Sequence, residues 1–283
     1  MRFLLLSLAW CSLPTPVACG QGPATLTRDH LLRRRYDQVA YLVSHNAMSN
    51  RDDGWLFPNQ THGITRQLKD GVRGLMLDVH DVSGQPYLVH SKAILGKRKL
   101  VDGLREIGRF LERDSRAVVT IIFESYVSAQ SIQDAFRDAG LLESLHPQTP
   151  NQPWPTLQQM ITTGKRLVVF TDRGGGSWPG YHDVWAFCQE THFSVKRVSD
   201  FTYRRNRGQA SNPLMILNHF LTNPVAAPRL ARLANATDTL GPRIRGCQEN
   251  TGRFPNFIVV DFHEIGNTPA TVEQFNYQHN PAP

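Results

Sequence analysis

Histidines and carboxylates recur at one kind of place in this chain, at the ends of short apolar, β-branched runs. His45 and Asn46 follow VAYLVS, Asp78 and His80 close VRGLMLDVH, and His90 closes PYLVH. Glu124 closes AVVTIIFE, Asp172 closes RLVVFTD, and Asp261 with His263 close NFIVVDFH. A lone histidine after a strand is more often structural than catalytic, but repetition over separate runs points to a shared site. Two histidines facing each other across a phosphodiester supply acid and base: one takes a proton from a hydroxyl, the other protonates the departing alkoxide. A reference pKa of about 6.5 suits both duties near neutral pH. Neighbouring carboxylates can orient a ring or hold a divalent cation. Asn46, Asp78 and Glu124 offer only oxygen ligands, which suits Ca²⁺, with Mg²⁺ as the alternative; the histidines leave zinc open as a minor one.

Such residues need elements that bring them together. The apolar runs at 39–45, 72–80, 86–90, 117–124, 166–172, 213–220 and 256–263 read as buried parallel strands, and a weaker run, FSVKRV, would complete eight. Between them VDGLREIGRFLERD, apolar at Leu104, Ile107 and Leu111, and SIQDAFRDAGLLESL, closed near Gly140, read as amphipathic helices. Strand and helix alternation over one domain of this length predicts an α/β fold, a distorted (β/α)8 TIM barrel. The C-terminal strand ends of a barrel converge on one face, and those ends are where the polar residues stand.

Six motifs, in order, then match a known pattern: SHNAMS, QLKDGVRGLMLDVHD, PYLVHS, VVTIIFES, RLVVFTD and FPNFIVVDF. From about residue 36 to 265 the chain resembles the X-type catalytic domain of phosphatidylinositol-specific phospholipases C, most of all its secreted, stand-alone members. The resemblance implies phosphodiester cleavage by a neighbouring inositol hydroxyl, giving a cyclic phosphate and diacylglycerol. Carried over by position, His45 is the general base, His90 the general acid, and Asp261 the residue that orients the base. Asn46, Asp78 and Glu124 match three calcium ligands of the metal-dependent branch. The fourth ligand position holds Met76, and the arginine of the metal-independent branch is replaced by His80. Substrate contacts are expected from His80, Lys92, Asp172 and Arg173, the last two opening the glycine-rich DRGGGSWPGY segment. That segment lacks the lysine of a P-loop.

The first twenty residues, basic at Arg2 and apolar from Phe3 to Leu13, read as a signal peptide, with 21–283 as a single catalytic domain of a secreted protein. Lipidation at Cys19 is the alternative, disfavoured by Pro16 in the lipobox. No later segment approaches the roughly 18 apolar residues of a membrane span. A formal charge of +7 favours an anionic partner such as a membrane surface, and no nucleic-acid motif accompanies the basic residues. Expected partners are therefore a phospholipid or inositol phosphate, with peripheral membrane contact through Trp178, Tyr181 and Trp185 set against burial of those rings. The protein is taken as a monomer. Cys188 and Cys247 are candidates for a bridge in an exported protein. Asn59 and Asn235 sit in glycosylation sequons, Asn59 in the more polar loop. Glycerophosphodiester cleavage on the same scaffold and binding without turnover are the competing functions. SHNAM in place of HRG counts against the first, and retention of both histidines counts against the second.

Overall fold

The computed structural model describes residues 29–278. Its strands are β1 (Tyr41–Ser44), β2 (Gly74–Val82), β3 (Gln85–Leu88), β4 (Arg98–Lys99), β5 (Val119–Ser125), β6 (Leu167–Thr171), β7 (Tyr181–Asp183), β8 (Cys188–Thr191), β9 (Arg205–Arg207), β10 (Leu214–Asn218) and β11 (Pro255–Val260). Its helices are α1 (Asp29–Leu32), α2 (Ile64–Lys69), α3 (Leu100–Arg113), α4 (Ala129–Asp138), α5 (Leu157–Thr162), α6 (Val184–Phe187), α7 (Pro228–Ala234), α8 (Thr237–Thr251) and α9 (Thr268–Gln278). The signal-peptide reading falls outside the described residues.

The strands run parallel in the order β7-β6-β5-β2-β1-β11-β10-β8, with β9 antiparallel on the outer side of β8. Among the described residues β7 and β8, neighbours along the chain, do not pair, so the sheet curls into a barrel that stays open at that seam. The expected distorted barrel is thus what forms, although two strands differ from expectation. PYLVH is no barrel strand: β3 folds back antiparallel onto β2 and carries β4 on its other edge. FSVKRV forms no strand; the places are taken by β7 and β8, too short for their apolar pattern to stand out.

Period-2 alternation sorts the strand residues into two layers. Tyr41, Val43, Ile122, Val168, Phe170, Leu214, Ile216, Phe257 and Val259 fill the barrel interior. Leu42, Leu75, Leu77, Ile121, Phe123, Val169 and Ile258 face outward against helix residues such as Leu104, Ile107 and Phe136. The interior is full: a Cβ at Gly74 would sit 2.5 Å from Val43 Cγ2. Tyr36, stacked on Trp154 at 4.5 Å and bonded to Thr120 Oγ1 at 2.6 Å, closes the end opposite the C-terminal strand ends. α3 buries Leu100, Leu104, Ile107 and Leu111, the i, i+4, i+7, i+11 stripe expected of it. α4 is capped by Ser128 and followed by Gly140 at φ +71°, as its sequence requires.

Both cysteines are free and buried, Cys188 inside the barrel and Cys247 on α8 in the outer layer, so the sheet separates them and the anticipated bridge does not form. Trp178 and Tyr181 stack at 4.7 Å within the core, and Arg207 covers Trp185 at 4.4 Å. Burial accounts for Trp178 and Tyr181, and neither forms an outward rim.

Candidate active site

The inward alternation carries beyond the last apolar layer. In β1 it passes from Tyr41 and Val43 to His45, and in β2 from Met76 to Asp78 and His80. β5 presents Glu124, the end of β6 Asp172, β8 Glu190, β10 Asn218 and then Phe220, and β11 ends on Asp261. Polar side chains therefore stand on the floor made by the interior apolar residues, at the C-terminal mouth.

His45 Nδ1 lies 2.9 Å from Asp261 Oδ1. The parallel pairing of β1 with β11 forces this meeting, since Ser44 is in register with Val260 and His45 N donates to Val260 O at 2.9 Å. Phe220 stacks on the His45 ring at 3.8 Å and 14°. With Nδ1–H given to the carboxylate, Nε2 is left as the acceptor nitrogen, the state a general base needs.

His90 Nδ1 lies 3.1 Å from Asp78 Oδ2. Burial pulls the pKa of His90 down, but the hydrogen bond and charge of Asp78, with the charges of Asp261 and Glu124, leave it above the ordinary histidine value. Asp261, the partner of His45, therefore acts electrostatically on His90, and the two histidines belong to one site. A histidine with a raised pKa beside one hydrogen-bonded through Nδ1 to a carboxylate is an arrangement that acid and base chemistry can use.

Register sets Glu124 beside Asp78 across β2 and β5. Its Oε1 accepts from Tyr126 Oη, whose ring is covered by His80 at 4.3 Å and by the Arg173 guanidinium at 4.3 Å. Asp172 accepts from Ser125 N at 2.8 Å and lies 3.6 Å from Arg173 Nε. Asp172 thus anchors the end of β5 and steers Arg173 over Tyr126. Lys92 is exposed in the loop beyond His90, outside these contacts.

The expected oxygen donors Asn46, Asp78 and Glu124 lie at the mouth, but Asp78 is turned to His90 and Glu124 to Tyr126. Among the described residues no group of three or more histidine, cysteine or carboxylate side chains is gathered to hold a metal. Met76, on the same inward face, is a thioether that a hard cation does not favour. As arranged, the donor set does not fit a calcium ion.

Several site residues escaped the sequence. Glu190 is buried, with Oε1 accepting from Arg207 Nε at 2.5 Å and Asn206 Nδ2 at 2.9 Å, and Oε2 from Asn218 Nδ2 at 3.1 Å. Arg207 lies over Trp185 and Phe193. The alternation of β8 would have shown Glu190 had that strand been recognised. Asn59, read as a glycosylation acceptor in a polar loop, is buried with its Nδ2 3.0 Å from Asp261 Oδ1. Asn235 is buried too, its Nδ2 donating to Asp261 O at 2.9 Å. Neither amide is available to a glycan in the folded protein, and nothing local in the sequence separates these sequons from exposed ones.

Comparison with known proteins adds the following. The family model described as PI-PLC X 1 matches residues 31–276. A PI-PLC X domain-containing protein of Arabidopsis thaliana is 29% identical over 269 residues, covering 87% of this chain and 62% of that protein. An uncharacterized secreted protein of Arthroderma benhamiae is 28% identical over 85% of this chain and 60% of its own length. The chain therefore spans about three-fifths of these two relatives. Phosphatidylinositol-specific phospholipase C from Listeria monocytogenes superposes with a TM-score of 0.60 at 14% identity, over 88% of this chain and 97% of that one. A Staphylococcus aureus counterpart gives 0.58 at 11% identity, over 84% and 93%. At these identities the two structures establish the fold.

Proposed function

The chain belongs to the PI-PLC X domain family, and from that premise we propose that it is a secreted phospholipase C-like phosphodiesterase acting on a phosphoinositide-type lipid by histidine acid and base catalysis. The observation that carries this reading is the pair of histidine–carboxylate contacts at one mouth, His45 with Asp261 and His90 with Asp78. His45 Nε2 takes the proton of the hydroxyl next to the phosphorylated carbon. That oxygen bonds to phosphorus as the bond from phosphorus to the glycerol oxygen breaks, and His90 passes its proton to the leaving oxygen. The products are a cyclic phosphate and diacylglycerol. His80 and Arg173 supply positive or donor groups around the phosphate, and Lys92 approaches from the exposed loop beyond His90. Asp172 offers an acceptor for a head-group hydroxyl, while Glu190, its oxygens held by Asn206, Arg207 and Asn218, positions Arg207.

A lipid substrate also suits the rim of the mouth. Leu56 and Phe57 in the loop after β1, Ile94 after β3, Phe193 after β8 and Val225 after β10 are exposed apolar side chains. Each follows the end of its strand, Ile94 within a 3-10 turn over Ala93–Leu95, and Leu56 N donates to Leu95 O, joining the first two segments. Exposed apolar groups around a site, on a protein of +7 formal charge, suit peripheral contact with an anionic bilayer. Secretion agrees with the relative named as secreted and with the lack, among the described residues, of a helix long and apolar enough to cross a membrane.

The test is incubation with vesicles of phosphatidylinositol, read by phosphorus NMR for the cyclic inositol phosphate. The wild type forms it, and His45→Ala and His90→Ala each reduce the rate by roughly 10²- to 10⁴-fold with the fold intact by circular dichroism. Undiminished turnover in either variant, or no cleavage of any phospholipid by the wild type, overturns the reading.

A further inference from the structure

Beyond the residues already given chemical roles, we infer that Asn59 is a positioning residue of the catalytic base, fixing Asp261 and through it the orientation and tautomer of His45. The inference rests on the reading of His45 as the base.

Asn59 Nδ2 stands 3.0 Å from Asp261 Oδ1 and 3.3 Å from His45 Nδ1. An amide oxygen at that distance from a carboxylate oxygen would be repelled, so the NH2 group faces the carboxylate. Asp261 Oδ1 then receives two donors, the His45 Nδ1–H and the Asn59 amide, while Asp261 Oδ2 is buried with no partner among the described residues. Only Oδ1 is held, and the Asn59 amide, as its second donor, fixes the plane of the carboxylate against the imidazole. Phe220 on the ring face restrains the imidazole in the other direction. The outcome is a ring with one defined tautomer, Nδ1–H inward and Nε2 free toward the mouth, a state that second-sphere hydrogen bonds commonly fix.

Asn59 can serve because its backbone is itself immobilised. Its N–H donates to Ser49 O at 3.0 Å, and its carbonyl accepts from Phe262 N at 2.9 Å. The next residue, Gln60, places its side-chain NH2 on both His45 O, at 2.9 Å, and Val260 O, at 3.1 Å, and accepts from His263 N at 3.2 Å. Two consecutive buried amides therefore stitch the loop after β1 to the end of β11. Gln60 holds the backbones at the positions from which His45 and Asp261 project, and Asn59 holds the side chains. Positioning to within a fraction of an ångström is what a catalytic pair demands of its supporting residues.

The experiment uses the full chain labelled with ¹⁵N at histidine, with Asn59→Ala and the isosteric Asn59→Asp. In the wild type the His45 nitrogens report the Nδ1–H tautomer at neutral to alkaline pH. Asn59→Ala yields a tautomer mixture and a kcat lower by about 10-fold with KM little changed. Asn59→Asp keeps the shape but sets a carboxyl oxygen where the NH2 donor stood, 3.0 Å from Asp261 Oδ1. The two carboxyls then repel or share a proton, the hold on Asp261 is lost, and the acidic limb of kcat/KM moves from its wild-type position. Should Asn59→Ala lose its fold, the isostere alone decides the matter. A pure Nδ1–H signal, wild-type kcat and an unmoved limb in the variants that fold overturn the inference. The NMR readout needs no substrate: a tautomer that depends on Asn59 in a protein that cleaves no phosphodiester would retain the positioning role and discard the proposed reaction.

Discussion

His90 Nδ1 meets Asp78 Oδ2 at 3.1 Å, across only twelve residues of sequence, because β3 turns back antiparallel on β2 and returns the chain to the mouth. Val79 pairs with Leu88, so the carboxylate just before Val79 and the ring two residues beyond Leu88 end on the same side. The proposed general acid therefore comes from a hairpin appended to the barrel, while the base comes from a barrel strand.

That contact sets a pH dependence. Asp78, Asp261 and Glu124 together hold the pKa of His90 above its ordinary value against the effect of burial, so His90 stays protonated to higher pH. Asp78→Asn removes one hydrogen-bonded charge and moves the basic limb of kcat to lower pH by about one unit. The same linkage makes the pair stabilising below about pH 6.5, an effect lost as pH rises through the raised value. A pH–rate profile of the variant checks this; an unmoved basic limb would show that Asp78 does not govern the acid.

Chelation separates the site from its metal-dependent resemblance. With Asp78 and Glu124 already committed to His90 and Tyr126, turnover is expected to withstand exhaustive chelation. A loss reversed by added Ca²⁺ would mean that these carboxylates rearrange around an ion.

The rim makes its own prediction. Phe57 and Ile94 are 62% and 86% exposed, and burying each in a bilayer is worth about 1.5–3 kcal/mol. Replacing both by serine should weaken binding to anionic vesicles at least 10-fold in a sedimentation assay, with hydrolysis of a short, water-soluble substrate unchanged. Equal binding by wild type and variant would remove the rim from the membrane contact.

Stability has an acid-side signature in His219. The ring is fully buried, its Nε2–H donates to Ala234 O at 2.7 Å, and burial lowers its pKa to about 3. The unfolded chain takes up a proton near pH 6.5 that the folded ring refuses until about pH 3, so stability falls as pH drops through that window. His219→Gln keeps an amide donor and removes the titration. Its melting temperature should fall less between pH 7 and pH 4.5 than that of the wild type, a difference calorimetry resolves. Burial also lowers His146 and His182, so part of the slope remains.

The local pattern of the chain was enough to place His45, Glu124, Asp172 and Asp261 at strand ends, whereas β2 runs on to Val82 and leaves Asp78 mid-strand; the period-2 alternation is why all of them face inward. It also determined α3 and α4, whose apolar stripes, with the Ser128 cap of α4, lie within one helix length. Tertiary structure decided the rest. Asn59 joins Asp261 across 202 residues, and the role of its amide depends on the pairing of β1 with β11 rather than on its polar surroundings. Cys188 and Cys247 stand on opposite sides of the sheet because one belongs to a strand and the other to a helix. Glu190 lies on a four-residue strand, too short for alternation to be read, yet its neighbours in space give it three donors. Periodicity is a property of neighbours along the chain and survives in the sequence; which loop reaches which strand end is settled only when the barrel curls.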